Sequence, residues 1–288
     1  MVNHAKLVSW LIVGGVCAHL SCTLLHLDKS SSPDSSASVP EIVKQQTEAV
    51  TVEIFTIRLA PHQNDLVQQL WQEVDEQSLP PQLRRELFTQ GFRAGTLNDL
   101  LSPALTQLLG TNAGSRPEVS PGDFQEYSMA DIAREATVVR KVQNLFPEMR
   151  TLIKVFDDQN ALPEFALFRM ENGMLHGQTY AQALGILCVS AVINKDGSAQ
   201  IQIVPELEYG TLERRIRSVA GVVMMETNRP RYAFETLTLS QRLLPGQWII
   251  IGATTMDSAG AGKAFFVRKT STPEQRLVAI RLAQVKHQ

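Results

Sequence analysis

The spacing of apolar residues changes from a period of two to a helical period within the first part of the chain. Along "VTVEIFTIRLA", residues 50–60, apolar positions alternate, which predicts a strand with even-numbered residues on one face and odd-numbered residues on the other. From His62, "HQNDLVQQLWQEVDEQ" places an apolar stripe at helical spacing. The stripe consists of Leu66, Leu70, Trp71 and Val74. A strand followed by an amphipathic helix is therefore predicted.

The segment "LPPQLRRELFTQGFRAGTL" predicts a second helix and a second strand. The helix starts after the Pro pair and ends near Gly91, and the strand covers Phe92 to Leu97. A further helix is predicted in "NDLLSPALTQLLG", with Asn98 as its N-cap. Together these elements define a small α+β module at residues 50–110.

Strand patterns dominate the chain after residue 150. The clearest is a hairpin in "ALGILCVSAVINKDGSAQIQIVPELEYG", where Asp196-Gly197 supplies the turn. A Pro245-Gly246 turn precedes "QWIIIGAT", whose continuous apolar run predicts a strand buried on both faces. "RYAFETLTLSQRLL", "KAFFVRKTS" and "RLVAIRLAQV" are also predicted as strands. Residues 129–288 are therefore expected to form a mainly antiparallel β-sheet or sandwich domain.

The linking segments have the composition of loops. Residues 28–49 are rich in Ser and Pro and lack apolar periodicity, so they read as a tether. Residues 111–128 are dense in Gly, Ser and Pro and predict a loop or linker. The fold class is α+β, with an N-terminal export helix, a small α+β module and a C-terminal antiparallel β domain.

The N-terminal segment, residues 1–27, resembles an export signal. "LVSWLIVGGVCAHLSCTLLHL" contains no Asp, Glu, Lys or Arg and follows a short basic start. Cleavage after Ala18, lipidation at Cys22 and retention as an uncleaved membrane anchor all remain open. Each places the rest of the chain outside the cytoplasm, in the periplasm or cell envelope. A buried hydrophobic helix is the alternative.

Composition narrows the function classes. The 288 residues are 44% hydrophobic, which is ample for a packed core. Since 27 basic side chains face 29 acidic ones, no global positive charge recruits nucleic acid. Two of the three cysteines lie in the N-terminal segment, and Cys188 stands in an apolar run, which favours a buried thiol over a disulfide framework or a nucleophile.

No complete catalytic, cofactor or metal signature is found. Glu73, Asp75 and Glu76 beside Trp71 suit an acid/base pair in type, but the helical spacing favours a solvated face. "SAGAGKA", residues 258–264, lacks the first Gly and the final Ser or Thr of a phosphate loop, and is predicted to be a flexible surface turn. No catalytic residue, cofactor or metal is assigned.

Two histidines and three arginines remain to be interpreted. His62 and His176 have no second His or Cys at ligand spacing. Arg214, Arg215 and Arg217 stand close together in "LERRIRS" and are candidates for contact with an acidic partner, against the alternative of a solvated edge strand.

The C-terminal third resembles the C-terminal domain of bacterial secretins. The resemblance rests on the hairpin segment with Asp196-Gly197, then "FETLTLSQRLLPGQWIIIGATT" and "GKAFFVRKTSTPEQRLVAIRLAQV", in that order. Secretins have two glycines after the apolar run, whereas Ala253 follows Gly252 here, and their membrane-inserting hairpins are shortened to "MDSAGAGKAFF". The whole chain is also similar to bacterial envelope proteins with this export segment, Trp-Gln-Glu helix and Pro-Gly-Gln strand.

The leading hypothesis is a non-catalytic, exported envelope protein that acts through protein–protein contacts in assembly or secretion. Its partners would be envelope proteins or further copies of itself, with the membrane contacted through residues 1–27 and with no nucleic acid. The alternative is a periplasmic enzyme or carbohydrate-binding module that uses the Trp71 helix or the "FRMENGMLHGQTY" segment with His176.

Overall fold

The computed structural model describes residues 48–98, 102–110, 137–171, 174–219, 222–255, 260–268 and 273–286. These residues belong to one compact unit, residues 45–288. The predicted export segment with Ala18 and Cys22, nearly all of the tether and the predicted loop at 111–128 lie outside the described residues.

The described part of the chain is mostly antiparallel β-structure with a few helices, so the predicted β-rich α+β class is confirmed. The strands are β1 Ala49–Leu59, β2 Phe92–Leu97, β3 Val138–Leu145, β4 Thr151–Lys154, β5 Leu162–Glu171, β6 Met174–Ile193, β7 Ala199–Glu208, β8 Glu213–Val219, β9 Val222–Asn228, β10 Arg231–Ala233, β11 Leu239–Leu243, β12 Trp248–Ala253, β13 Val267–Arg268 and β14 Glu274–Lys286. The α-helices are α1 Asn64–Glu73, α2 Pro81–Thr89, α3 Pro103–Gly110 and α4 Gly262–Phe266. Short 3-10 turns occur at Pro61–Gln63, Glu76–Ser78, Asp158–Asn160 and Glu235–Leu237.

The first large sheet has the strand order β2-β12-β14-β1-β3, with β13 added to β14. Its strands come from both sides of the predicted 111–128 linker, because β1 and β2 pair with β14 and β12 respectively. The stretch expected to form a separate small module therefore shares a sheet with the C-terminal stretch.

Side chains of the first sheet are buried on both faces at its centre. In β12, Ile249 and Ile251 enter one hydrophobic cluster, while Trp248 and Ile250 enter a second one with α1 and α3. The continuous apolar run of β12 follows from this double burial, as predicted. β14 is also buried on both faces at its centre, where Ile280 enters the first cluster and Ala279 the second.

The second large sheet has the order β10-β7-β6-β4, with β11 also on β7 and β5 also on β6. Residues of this sheet, such as Val189 and Ile203, share one hydrophobic core with Val52 and Ile280 of the first sheet. The predicted hairpin between β6 and β7 is confirmed, and Gly197 has a φ of +81° at its turn.

The prediction of a surface turn at "SAGAGKA" is wrong for its described part. Residues 261–266 form α4 and the turn before it, with Ala261, Ala264 and Phe265 fully buried in the main core. The predicted strand "KAFFVRKTS" is accordingly a helix followed by the two-residue strand β13. The close approach of backbones explains the glycines, since a Cβ on Gly262 would lie 2.2 Å from the Gly91 carbonyl oxygen.

Two further local predictions are corrected. α3 begins at Pro103, and the Ser102 hydroxyl accepts a hydrogen bond from the Leu105 amide at 3.0 Å, so Ser102 and not Asn98 caps this helix. The single strand predicted over 231–244 is divided into β10 and β11 by the 3-10 turn that buries Leu237.

Candidate functional site

The acidic residues next to Trp71 are engaged in structural contacts. The Asp75 carboxylate accepts hydrogen bonds from the amides of Gln77 and Ser78, at 2.9 and 3.2 Å. The Glu76 carboxylate accepts a hydrogen bond from Arg93 Nε at 2.7 Å. One acid therefore caps a 3-10 turn and the other neutralises an arginine, which leaves only the exposed Glu73 outside such contacts.

Trp71 itself is part of the core between α1 and the first sheet. It is 6% exposed, and the guanidinium carbon of Arg93 lies 4.6 Å from its ring centroid. The ion pair of Arg93 with Glu76 holds the guanidinium in this position, which adds a cation–π contact to the packing. A tryptophan covered in this way does not present an open platform for a sugar ring.

An open groove of roughly 720 Å³ lies along β2 and α2, next to the Arg93 ion pair. We call it the β2 groove, and it is lined by Glu76, Arg84, Arg85, Phe88, Arg93 and Ala94, among others. Phe88 is 71% exposed. Arg84, Arg85 and Phe88 were not predicted as site residues from the sequence. The available signal is that Phe88 is an apolar residue outside the Leu83 and Leu87 stripe of α2.

The two candidate histidines lie on different elements. His62 is an exposed residue of the 3-10 turn before α1, where it lines a cavity of roughly 370 Å³ together with Gln63, Asp65 and Gln69. His176 is an exposed residue of β6, opposite Arg169 of β5. Among the residues that the structure describes, no group of three or more His, Cys, Asp or Glu side chains could hold a metal ion.

The segment with His176 forms a two-stranded ribbon. We define the ribbon as β5 with residues 174–179 of β6. Its register places Phe168 opposite Gly177. Phe168, Met174 and Leu175 are 58%, 62% and 66% exposed, respectively. Large apolar side chains are thus presented to solvent on the segment that the sequence singled out for its histidine.

The three candidate arginines lie on β8. This strand pairs with β9 alone among the described strands, and Arg214 is exposed at its start. In the register of this hairpin, Arg215 is opposite Glu226 and Arg217 is opposite Met224. The structure thus assigns the arginines to a two-stranded hairpin and brings Arg215 to the same register position as an acidic residue.

A buried charge cluster, which sequence reasoning missed, lies on the second sheet. Glu206 and Glu208 are 6% and 5% exposed. Arg231 Nε lies 3.2 Å from Glu208 Oε2, and Arg150 Nη2 lies 3.2 Å from Glu206 Oε1. Lys154 Nζ lies 3.7 Å from Glu208 Oε1. The alternating polar positions in "QIQIVPELE" were the only sequence signal for the two glutamates. They do not indicate that the pairing cations come from β4 and β10.

Cys188 is buried beside this cluster. It is 3% exposed and carries a free thiol. Burial, and then the neighbouring Glu206 carboxylate, raise the pKa of the thiol above its ordinary value of 9.0, against a smaller opposing effect of Arg150. The thiol is therefore neutral at physiological pH, and the interpretation of Cys188 as a small buried hydrophobe agrees with this environment.

Within the residues that the structure describes, no helix combines the length and the apolar character needed to cross a membrane. Comparisons of the chain with protein-family models, with curated proteins and with solved structures found no match.

Proposed function

We propose that the protein is an exported, non-catalytic component of the cell envelope that acts through protein–protein contacts, including contacts with further copies of itself. The observation that carries this proposal is the ribbon with its exposed Phe168 and Leu175. Large exposed apolar side chains grouped on one strand pair are typical of a surface that becomes covered in an assembly.

The ribbon has only two strands, which limits its stability on its own. A two-stranded hairpin is marginally stable in water on its own, and it gains stability when a third strand or an apolar surface covers it. Among the described strands, β5 pairs with β6 alone, and residues 174–179 of β6 pair with β5 alone. Both edges of the ribbon thus retain backbone groups that a further strand can use.

The side chains of Phe168 and Leu175 lie on one face of this strand pair. Phe168 and Gly177 are directly opposite in the register, and Leu175 is two positions along from Gly177 on the same strand. A Cβ placed on Gly177 would lie 2.9 Å from Phe168 Cε1, so the ring covers the glycine. Because the ring and Leu175 share this face, a partner that covers it buries both side chains together.

Two features of the sequence support the rest of the proposal. The uncharged apolar run at residues 7–27 after a basic start supports export. The order of segments resembles that of the secretin C-terminal domain, which supports assembly of the chain with further copies of itself. Self-association is therefore the first contact to test. In this proposal the C-terminal stretch acts as a secretin-like β domain in an envelope assembly.

The self-association part is tested by light scattering with size-exclusion chromatography on the full chain in a mild detergent. We expect oligomers that dissociate when Phe168→Lys and Leu175→Lys are combined. Val192→Lys is the matched control, because Val192 lies on the same strand β6, is 63% exposed and is outside the ribbon. A monomeric native chain, or equal dissociation by Val192→Lys, would refute the role of the ribbon.

The export part is tested by mass spectrometry of the mature protein after expression in a bacterial host. Cleavage after Ala18, a lipid on Cys22 and an intact N-terminus give three different masses. Recovery of the unprocessed chain from the cytoplasm would overturn export, and it would leave the result on the ribbon unaffected.

A further inference from the structure

We propose that the β2 groove binds an extended, acidic peptide segment of a partner protein, which adds to the free edge of β2. This site is separate from the ribbon and combines unpaired backbone groups, positive charge and one exposed aromatic side chain.

β2 is an edge strand of the first sheet. Because β2 ends the first sheet, only one of its sides pairs with β12. The Asp75 amide donates to the Thr96 carbonyl at 2.8 Å, and the Thr96 amide donates to the Asp75 carbonyl at 3.1 Å. A single residue of the same chain thus already pairs with the open side of β2, which shows that this edge accepts a strand-like neighbour.

Backbone groups along β2 alternate in direction, as in any antiparallel ladder. Since Thr96 directs its amide and carbonyl to the open side, Gly95 directs its own to β12 and Ala94 directs its own to the open side again. Ala94 is 3% exposed and lines the groove. Outside the ladder with β12, no described residue makes a hydrogen bond with its amide or carbonyl. Buried backbone groups of this kind are normally paired.

The backbone groups of Ala94 determine which class of ligand fits the groove. Ala94 presents a donor and an acceptor side by side, and a peptide backbone supplies both complements. A phosphate or a nucleic-acid backbone supplies acceptors only, so it would leave the Ala94 carbonyl without a donor. The groove is lined by Phe92, Arg93 and Ala94, which precede the Asp75–Thr96 bridge on β2, so an added segment would run along β2 in an extended conformation.

The groove carries a positive charge from its arginines. Arg93 is neutralised by Glu76, with 2.6 Å between Arg93 Nη2 and Glu76 Oε1. Within the described part of the chain, Arg84 and Arg85 have no carboxylate at salt-bridge distance, and Arg84 Nε is buried without a hydrogen-bond partner. Two uncompensated guanidinium groups favour a peptide that carries carboxylates.

Phe88 adds an apolar element to this recognition. Its side chain is 71% exposed and follows Arg84 by one helical turn, so both residues lie on the same face of α2. Side chains alternate along an added strand, so positions that face α2 meet both Phe88 and the arginines. The expected ligand therefore has Asp or Glu within two residues of a large apolar residue.

Selection from a phage-displayed library of random peptides tests this assignment. The library carries peptides of about seven residues, which is ample for one edge-strand pairing, and the target is the immobilised full chain. We expect enrichment of acidic and apolar peptides on the native chain, and a loss of that enrichment on the Arg84→Gln and Arg85→Gln double variant. Phe88→Ser should weaken the apolar preference alone. Lys195→Gln is the matched control, since it removes an exposed cation from the turn between β6 and β7 and should leave selection unchanged.

A synthetic copy of the most enriched peptide then separates the contributions by fluorescence anisotropy. Replacement of its carboxylates by amides should weaken binding about tenfold or more, since charge-assisted hydrogen bonds are lost. Two peptides are made, each methylated on one of the two alternating sets of backbone nitrogens. Binding should be abolished for the peptide whose methylated nitrogens face β2 and retained for the other. Circular dichroism and thermal melting of the double variant check that it is folded, which is expected because Arg84 and Arg85 lie outside the core.

The assignment is overturned if no peptide is enriched, or if the double variant enriches the same peptides as the native chain. It is also overturned if both methylated peptides bind as tightly as the unmethylated one. The Phe168→Lys variant should bind the selected peptide normally, so failure of the groove and failure of the ribbon are distinguishable.

Discussion

The guanidinium carbon of Arg268 lies 3.9 Å from the ring centroid of Phe156. Arg276 approaches the same ring at 4.3 Å, so two arginines from β13 and β14 contact one aromatic side chain. Arg268 is 4% exposed and donates hydrogen bonds to the carbonyls of Ala264, Val267 and Asn160. It therefore joins the end of α4 to the 3-10 turn after β4. Burial, and then Arg276, lower the pKa of Arg268 to about 10, which leaves it charged at neutral pH.

Arg268→Lys is expected to lower the free energy of unfolding by about 1–3 kcal/mol, because lysine keeps the charge but loses the planar fork that serves three carbonyls. Arg140→Lys is the matched control. Arg140 also lies over a ring, that of Phe55, and pairs with Glu53, but its side chain is 57% exposed. Urea denaturation should show little change for this variant. Equal losses for the two variants would contradict the structural role of Arg268.

Gly185→Ala tests the packing of α4 on β6. A Cβ on Gly185 would lie 2.3 Å from the Cγ atom and 2.6 Å from the Cα atom of Phe265, so the helix backbone would have to move. We expect a loss of about 1–3 kcal/mol or more in the free energy of unfolding. Gly110→Ala is the control, since no described residue lies within 4 Å of its Cβ position, and it should be neutral or slightly stabilising. A neutral Gly185→Ala variant would show that α4 is not held against β6.

The elements that the sequence predicted well are those whose pattern depends on their own residues. β1 has alternating faces, and the structure places Val50, Val52 and Ile54 in one cluster and Ile57 and Leu59 in the other. β2 spans Phe92–Leu97 as predicted, because Gly91, with a φ of +78°, ends the preceding helical segment.

The predictions that failed depend on contacts between distant segments. "GKAFF" reads as a strand or a surface turn because its apolar residues have no clear period, and only the close approach of Gly185 and Gly91 explains a buried helix there. The β2 groove was missed for the same reason. Arg84 and Phe88 mark one helix face, but the free edge of β2 beside them follows from pairing with β12, which lies far along the chain.

The buried charge cluster predicts unequal effects for the two partners of Lys154. Glu208→Gln should lower the free energy of unfolding by about 2–3 kcal/mol, because Glu208 is buried and the change leaves Arg231 with only its longer contact to Glu206, at 3.8 Å. Asp158→Asn breaks the shorter contact, 2.7 Å from Lys154 Nζ, but its side chain is 56% exposed. We expect this variant to lose about 1 kcal/mol or less in the free energy of unfolding, and the loss should be smaller at high salt. A larger effect for Asp158→Asn in urea denaturation would contradict this ranking.

Cys188 predicts a loss of stability at alkaline pH. Its pKa is raised in the folded chain above the ordinary 9.0, so the unfolded thiol releases its proton first as pH rises. The stabilisation is therefore fully present below pH 9.0 and is lost as pH increases through the raised pKa. Under reducing conditions, urea denaturation from about pH 8 to about pH 10.5 should show a steeper decline for the native chain than for Cys188→Ala.

Alkylation of the same thiol gives an independent measurement. Iodoacetamide should modify Cys188 slowly in the folded chain, since the thiol is buried and neutral, and rapidly once urea unfolds it. Peptide mass spectrometry distinguishes this site from Cys17 and Cys22. Glu206→Gln removes the carboxylate that contributes to the raised pKa of Cys188. The pH dependence of this variant's free energy of unfolding should therefore be closer to that of Cys188→Ala than the native chain's is. Rapid alkylation of Cys188 in the folded chain at neutral pH would be incompatible with the burial on which the argument rests.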